Sequence, residues 1–221
     1  KNDKYIEPMH PIAFLPWDDS KFIYQSRNGG YNHLFLYSAE GKQLRQLTEG
    51  KYEVMDFLGF NTAKKTVVYT SNEGSPLRTA IYKIDAKGRK TKLSTQEGTN
   101  SAIFSKSMKY YINTFSNINT PTQITINDNT GKTLTTLIDN KRLADKVAKL
   151  DIVSKEFFTF KTSDGVELNG WMMKPANFDP NKKYPVIMHQ YSGPGSQQVT
   201  DRWNIGSRSD GGMFETYMAQ Q

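Results

Sequence analysis

Short apolar runs separated by polar turns recur in the same order along the first 140 residues. The first run of each unit is rich in aromatic and β-branched residues, and it occupies residues 22–26, 67–71 and, more weakly, 110–114. A second run of the same kind follows at residues 34–37, 80–84 and 123–126. Because these side chains favour extended backbone, each unit is predicted to contain consecutive β-strands.

A glycine-containing turn follows the second run of every unit. The glycines are Gly41, Gly88 and Gly131, which lie 47 and 43 residues apart. Glycine is expected there because tight hairpins require a positive φ. A third run then closes each unit, at residues 44–47, 92–93 and 134–137. A repeat of about 40–50 residues is typical of β-propeller blades. We favour a propeller over a plain antiparallel sandwich, which predicts no repeated order of motifs.

Three units are too few for a closed propeller, which has about 4–8 blades. Unclosed blades would leave bare strand edges, which folded proteins avoid. We therefore expect the parent protein to have further blades before Lys1.

The pattern changes after Asn140. Residues 141–150, with the sequence KRLADKVAKL, place Leu143, Val147 and Leu150 on one face of a short amphipathic helix. This helix is predicted to lead out of the repeat region.

Strands of a different kind follow this helix. Residues 156–162 and 166–175 are predicted to be two strands around the turn 163–165, and residues 184–191 a mostly apolar strand before the glycine-rich loop 192–196. A buried strand that ends in a glycine-rich loop is where an α/β sheet places its chemistry. A further helix is predicted at residues 213–219.

Three stretches resemble the prolyl oligopeptidase family of serine peptidases. The sequence SDGVELNGWMMKP at 163–175 resembles the hairpin that opens the hydrolase domain throughout that family. KYPVI at 183–187, followed by QYSGP at 190–194, is similar to the first core strand and oxyanion loop of the dipeptidyl peptidase IV branch. Residues 19–48, which contain FIYQSRNGGYNHLFLY and RQLT, resemble a late propeller blade of the same branch.

The resemblance implies a mainly β chain with two parts. Residues 1–140 would be the C-terminal blades of an eight-bladed β-propeller. Residues 141–221 would be a linker helix and the incomplete start of an α/β-hydrolase catalytic domain, with its N-terminal strands.

The resemblance also implies an activity for the parent protein: a serine exopeptidase, an aminopeptidase that releases N-terminal dipeptides, usually after proline. Its partners would be peptides with a free N-terminus, the parent would be a homodimer, and its location would be the periplasm or the secreted fraction. Release of tripeptides stays open as an alternative. So do a non-catalytic propeller that acts as a binding module and an inactive family member.

Serine chemistry in this fold requires a nucleophile elbow, G-x-S-x-G, followed in the chain by Asp and then His. In the predicted hydrolase part, no serine has a glycine two residues before it; the serines are Ser192, Ser196, Ser207 and Ser209. The catalytic Ser, Asp and His are therefore expected after Gln221. The three histidines, His10, His33 and His189, are expected to be surface or strand residues, because a general base needs a positioned nucleophile.

Tyr191 is the one residue to which the resemblance assigns a catalytic role. In the family, the tyrosine of the Y-x-G-P loop points its hydroxyl at the tetrahedral oxyanion. A phenol suits this task because it donates a hydrogen bond without carrying a charge. The alternative is a tyrosine that only packs at the end of a strand. Tyr5 and Glu7 are weaker candidates for the substrate side of the propeller and are not selected as site residues.

Charge and composition narrow the remaining function classes. The net charge is +7, but the basic residues are scattered through turns such as 87–90 and 182–183, so no nucleic-acid partner is expected. The absence of cysteine excludes disulfides and thiol catalysis. No apolar run approaches the roughly 20 residues of a membrane span. No residues show metal-ligand spacing, so neither a metal nor a cofactor is expected.

The isolated 221-residue chain is predicted to have no peptidase activity, because it contains no elbow serine and no histidine placed to serve one. The measurement is release of nitroaniline from a Gly-Pro-nitroanilide substrate. Turnover that a serine-directed fluorophosphonate blocks would contradict this prediction.

Overall fold

Three four-stranded antiparallel sheets form in the region of the predicted repeat. The computed structural model describes residues 10–150, 152–191, 193, 196–205 and 212–221. Contacts divide the chain into two compact units. The first comprises Lys1–Phe115 and Ile124–Leu137, and the second comprises Ser116–Gln123 and Ile138–Gln221. The boundary predicted between residues 140 and 141 stays a prediction.

Each sheet contains four strands that follow one another both in the chain and in the sheet. The first sheet consists of β1 (Ala13–Leu15), β2 (Asp18–Ser26), β3 (His33–Ser38) and β4 (Gln43–Gln46). The second consists of β5 (Val54–Asn61), β6 (Thr66–Ser71), β7 (Ala80–Asp85) and β8 (Lys90–Lys92). The third consists of β9 (Thr99–Phe104), β10 (Tyr110–Asn117), β11 (Thr120–Asp128) and β12 (Thr133–Ile138). A repeated four-stranded meander is the arrangement of propeller blades.

The sequence pattern predicts three strands of every sheet and misses the first one, which is β1, β5 or β9. β1 has only three residues, too few for a periodic pattern. β5 pairs with β6 through two register shifts, one between Val54 and Asp56 and one between Phe57 and Gly59. Because a bulge interrupts the regular ladder with one extra residue, the sequence of β5 does not alternate cleanly. β9 begins with three polar residues, Thr99, Asn100 and Ser101, and for that reason shows no apolar run at its start.

The three predicted glycine turns form as expected. Gly41, Gly88 and Gly131 have φ values of 84°, 83° and 96°, in the left-handed region that side chains disfavour. Asp85 and Asp128 each lie three residues before such a glycine, and their Oδ1 atoms accept backbone N–H groups of the turn. The side chain thus holds the turn that the glycine makes possible.

The second sheet packs a different set of side chains on each of its faces. All six residues of β6 are buried. Val67 and Tyr69 pack with core residues of the first sheet, whereas Val68 packs with residues of the third. The partners on the first face are Leu15, Ile23 and Leu34, and those on the second are Met108 and Tyr111. Successive residues of a strand point to opposite faces, so a continuous apolar run marks a strand buried on both.

Tyrosines occupy much of the core between the first two sheets. The rings of Tyr69 and Tyr82 stack with centroids 5.7 Å apart. Burial raises the pKa of Tyr52 to about 12, and it also raises the pKa of Tyr69. These phenols therefore stay protonated far above neutral pH, and they act as packing groups rather than as acids or bases.

Polar side chains join the first two sheets around Val54. Its carbonyl accepts hydrogen bonds from Gln25 Nε2 at 3.0 Å and from Asn32 Nδ2 at 2.9 Å. Beside it, Arg27 and Glu53 form an ion pair of 2.6 Å, and Glu53 also accepts the backbone N–H of Asn32. These bonds satisfy backbone groups that would otherwise be buried without partners.

Besides the segment Ser116–Gln123, which comprises the β10–β11 turn and the strand ends beside it, the described part of the second unit contains two short helices and one hairpin. The elements are α1 (Lys141–Val147), β13 (Glu156–Lys161), β14 (Glu167–Met172) and α2 (Gly212–Met218). β13 and β14 pair antiparallel from Glu156 opposite Met172 to Lys161 opposite Glu167. This confirms the predicted hairpin.

The predicted helices both form, with one difference in packing. α2 matches the prediction for residues 213–219 within one residue at each end. α1 ends at Val147 rather than at Leu150, and none of its residues is buried. On its predicted apolar face, Leu143 and Leu150 are exposed and Val147 is half-buried.

The strand predicted at residues 184–191 is wrong. The described residues pair with no strand there, and Val186, Ile187 and Met188 are largely exposed. An extended segment becomes a strand only when its backbone groups find partners on a neighbouring strand. The described residues accordingly show no α/β-hydrolase sheet, and that part of the predicted fold rests on the hairpin and α2 alone.

Removing a fully buried side chain from the second sheet should destabilise the chain strongly. Ile81 is 0 % exposed and packs toward the third sheet. Ile81→Ala is expected to lower the free energy of unfolding by about 2–5 kcal/mol. The matched control is Ile103→Ala, because Ile103 is 75 % exposed. It should cost less than about 1 kcal/mol. Urea titrations measure both, and equal losses would contradict the assigned core.

Candidate functional site

Tyr191 lies in an irregular segment, with 61 % of its surface exposed. Its hydroxyl forms no hydrogen bond with any residue that the structure describes. Its neighbours Ser192, Pro194 and Gly195 lie outside the described residues. An exposed phenol whose donor is not engaged by the described part of the chain is able to meet a ligand.

The ring of Tyr191 packs closely against Gly193. A Cβ added to Gly193 would lie 2.6 Å from Cε1 of that ring and 2.9 Å from its hydroxyl oxygen. No real Cβ contact is that short, so any side chain at position 193 would displace the ring. The requirement for glycine in the sequence QYSGPG is here a matter of close approach rather than of backbone conformation.

The chain before Tyr191 is held by an aromatic pair. Phe178 and Tyr184 stack with ring centroids 5.1 Å apart, and the Tyr184 hydroxyl accepts the backbone N–H of Asp179 at 2.9 Å. Lys174 lies 5.4 Å from the ring centroid of Phe178 and forms an ion pair of 2.7 Å with Glu156 at the start of β13. These contacts join the segment before Tyr191 to the β13–β14 hairpin.

The chain after Tyr191 is held by hydrogen bonds to the segment Ser116–Gln123. The carboxylate of Asp201 accepts the backbone N–H of Ile118 at 3.0 Å, and the backbone N–H of Trp203 donates to Ser116 Oγ at 3.3 Å. Asp201 is only 4 % exposed. Neither Asp201 nor Ser116 is predicted from the sequence, because they are far apart in the chain and no motif joins them.

A second polar group in this unit is an ion pair beside an indole ring. Nζ of Lys155 lies 2.8 Å from Oε2 of Glu215 and 3.6 Å from the ring centroid of Trp171. The contact with Glu215 is ionic and does not have hydrogen-bond geometry. A small cleft beside this pair is lined by Ile118, Met173, Asn204 and Thr216. Because both charges satisfy each other, the arrangement suits a structural pair rather than a reactive group.

The histidines take the places that the sequence analysis expects. His33 is buried, with Nε2 3.0 Å from the carbonyl of Gly50 and Nδ1 3.1 Å from Oγ1 of Thr48. A carbonyl can only accept, so Nε2 carries the proton and Nδ1 accepts from Thr48. His33 is thus fully engaged in the core. His189 is exposed, and His10 lies before β1.

Among the residues that the structure describes, no group of three His, Asp or Glu side chains is placed to hold a metal ion. No helix formed by these residues is long and apolar enough to cross a membrane. Tyr5 and Glu7 lie outside the described residues.

Comparison with known proteins gives one family match. A sequence model described as the dipeptidyl peptidase IV (DPP IV) N-terminal region matches residues 1–122. Dipeptidyl peptidase 4 of Trichophyton rubrum is 32% identical over 208 residues, which cover 91% of this chain and 27% of that protein. The probable dipeptidyl peptidase 4 of Aspergillus flavus is 30% identical over 203 residues, 90% of this chain and 26% of that protein.

Solved structures show the same likeness. The crystal structure of Porphyromonas gingivalis dipeptidyl peptidase 4 superposes with a TM-score of 0.84 at 44% identity, over 94% of this chain and 28% of that one. A putative dipeptidyl aminopeptidase IV from Bacteroides ovatus gives 0.81 at 35% identity, over 99% and 33%. The chain thus spans about a quarter to a third of the length of these proteins. Its mainly β architecture of four antiparallel sheets matches the N-terminal β-propeller region of dipeptidyl peptidase 4.

Breaking the Lys155–Glu215 pair from one side should destabilise the second unit. Lys155→Met keeps the aliphatic stem but leaves Glu215 without its cation, at an expected cost of about 2–4 kcal/mol. The double variant Lys155→Met/Glu215→Leu should recover most of that loss. The control is Lys141→Met in the exposed Lys141–Asp145 pair, which should cost less than about 1 kcal/mol. Urea titrations decide, and a Lys155→Met loss no larger than the control would contradict the structural role.

Proposed function

The chain belongs to the dipeptidyl peptidase IV N-terminal region family, and we propose that its parent protein is a serine peptidase that releases N-terminal dipeptides, preferentially after proline. The observation that carries the proposal is the extent of the likeness. The family model ends at residue 122, whereas the relatives named dipeptidyl peptidase 4 align with about nine-tenths of the chain. The similarity therefore continues past the blades into the residues that carry Tyr191.

In this proposal the chain contributes two parts to the parent. Residues 1–140 supply the last blades of the propeller, and residues 141–221 supply the start of the α/β-hydrolase domain. The β13–β14 hairpin supports the second assignment, since it forms where the family resemblance places the hairpin that opens the hydrolase domain. The catalytic Ser, Asp and His would be contributed by residues outside this sequence, so the isolated chain would be inactive.

The substrates of the parent would be peptides with a free N-terminus, in keeping with the names of its relatives. The family resemblance also suggests a periplasmic or secreted homodimer. A peptidase that acts on peptides outside the cytoplasm needs an accessible site, and the exposed Tyr191 is compatible with one.

Tyr191 would act in the oxyanion hole. When a nucleophile attacks the scissile carbonyl, negative charge moves onto the carbonyl oxygen. A donor placed about 3 Å from that oxygen stabilises the charge as it develops. Two observations support Tyr191 in this role: its hydroxyl is not bonded to any described residue, and its ring is held against Gly193 rather than buried in a core. The second donor would be the backbone N–H after the catalytic serine.

Tyr191→Phe in the full-length parent keeps the ring and removes the donor. It is expected to lower kcat by about 10²–10³-fold with little change in KM, because the hydrogen bond is made in the transition state more than in the bound substrate. Steady-state kinetics on a Gly-Pro-nitroanilide substrate measures both constants.

Tyr217→Phe is the matched control, since Tyr217 is 59 % exposed on α2 and has no assigned role. It should leave kcat unchanged. If Tyr191→Phe also leaves kcat within a few-fold of wild type, Tyr191 is a packing residue. A full-length protein without any turnover would favour the inactive family member or the binding propeller.

A further inference from the structure

The loop that follows Tyr191 ends at a buried carboxylate. Asp201 lies ten residues after Tyr191, and its Oδ1 accepts the backbone N–H of Ile118 at 3.0 Å. A charged acceptor makes a stronger hydrogen bond to a backbone N–H than a neutral one does. A carboxylate that is 4 % exposed loses hydration and must be compensated by such bonds. The bond therefore fixes this point of the loop to the β10–β11 turn within the segment Ser116–Gln123.

Two more contacts strengthen the same attachment. The backbone N–H of Trp203 donates to Ser116 Oγ at 3.3 Å, two residues beyond Asp201. Ser154 Oγ donates to Oδ1 of Asn119 at 2.8 Å, so a third segment binds the same turn. The segment Ser116–Gln123 therefore contributes three residues to one attachment, and all of them belong to the second unit. They are Ser116, Ile118 and Asn119.

Between this attachment and Tyr191, contacts among the described residues begin at Gln198, three residues before Asp201. Gln198 Nε2 donates to Ser196 Oγ at 2.7 Å, and the backbone N–H of Ser196 donates to the carbonyl of Gly193 at 3.2 Å. Gly193 in turn lies against the Tyr191 ring. A shift of the loop at residues 196–201 would therefore move the surface on which the ring rests.

The chain on the other side of Tyr191 is fixed as well. Tyr184 lies seven residues before Tyr191, and its hydroxyl accepts the backbone N–H of Asp179. Tyr191 is thus held between two attachments, one made by an aromatic pair and the other by Asp201. The first is local in sequence, whereas the second depends on a hydrogen bond across 83 residues.

We propose that Asp201 is a positioning residue for Tyr191: its bond to the Ile118 N–H holds the loop so that the phenol points at the oxyanion. This inference rests on the proposed function of Tyr191. An oxyanion donor must be placed to within a fraction of an ångström, and a displacement of about 1 Å costs roughly a hundredfold in rate. Asp201 touches no reacting atom. Its effect on the rate passes through Tyr191 alone.

The test is a double-mutant cycle in the full-length parent. Asp201→Ala should lower kcat by about ten- to a hundredfold with KM changed less than about threefold. Asp201→Asn keeps an acceptor oxygen for the Ile118 N–H and should restore kcat to within about threefold of wild type. In the Tyr191→Phe background, Asp201→Ala should have almost no further effect, because the donor it positions is already gone.

Ser116→Ala removes the neighbouring acceptor and serves as a second variant if Asp201→Ala fails to fold. It should lower kcat in the same direction and should also lose its effect in the Tyr191→Phe background. Asp164→Ala is the control, since Asp164 is an exposed aspartate in the β13–β14 turn, and it should leave kcat unchanged. Melting temperatures of all variants report the folded state independently of activity.

The possible outcomes distinguish the oxyanion role of Tyr191 from the positioning role of Asp201. If Tyr191→Phe leaves kcat unchanged, the oxyanion role fails and the positioning role falls with it. If Tyr191→Phe lowers kcat but Asp201→Ala and Ser116→Ala do not, only the positioning role is overturned. Equal losses from Asp201→Ala with and without the Tyr191 hydroxyl would show that Asp201 acts on stability and not through Tyr191.

Discussion

Burial of the second sheet on both of its faces organises the first unit. Val67 and Tyr69 can pack toward the first sheet, and Val68 toward the third, only if β6 is extended and both neighbouring sheets are present. The second sheet alone would expose apolar side chains on both of its faces, and removing this surface from water stabilises the folded unit. The repeat in the sequence is therefore a consequence of packing, because every unit must offer one face to the unit before it and the other to the unit after it.

The predictions from sequence succeed where local chemistry and packing agree. The strands β2, β6 and β10 have side chains that strongly favour extended backbone, and the glycine turns have residues that favour a tight turn. Local preference and the observed fold therefore agree at these positions. The first strand of each sheet has no such signature, since it is very short, bulged or polar. The segment 184–191 fails for the opposite reason: its side chains favour a strand, but no described strand pairs with it. Propensity cannot supply the hydrogen-bonding partner.

In the candidate site too, residues within a local sequence motif could be predicted, and residues joined only by the fold could not. Tyr191 could be found from the sequence because a local motif, Q-Y-S-G-P, carries it. Gly193 is in that motif too, but only the structure shows that its missing side chain leaves room for the Tyr191 ring. Asp201 and Ser116 have no local signature at all. Their relation exists only after the chain has folded, and a single sequence without aligned relatives gives no sign of it.

Among the described residues of the second unit, the partly buried carboxylate of Glu215 and the buried carboxylate of Asp201 make different contacts. Glu215 is paired with the ammonium of Lys155, whose position is further held by the face of Trp171. Asp201 accepts the backbone N–H of Ile118. A side-chain pair can move as a unit and keep its energy, whereas a backbone N–H is fixed by the turn that contains it. A bond to the backbone therefore restrains position more tightly than a flexible ion pair does, and a loop that must hold a hydrogen-bond donor in place gains more from the kind of contact that Asp201 makes.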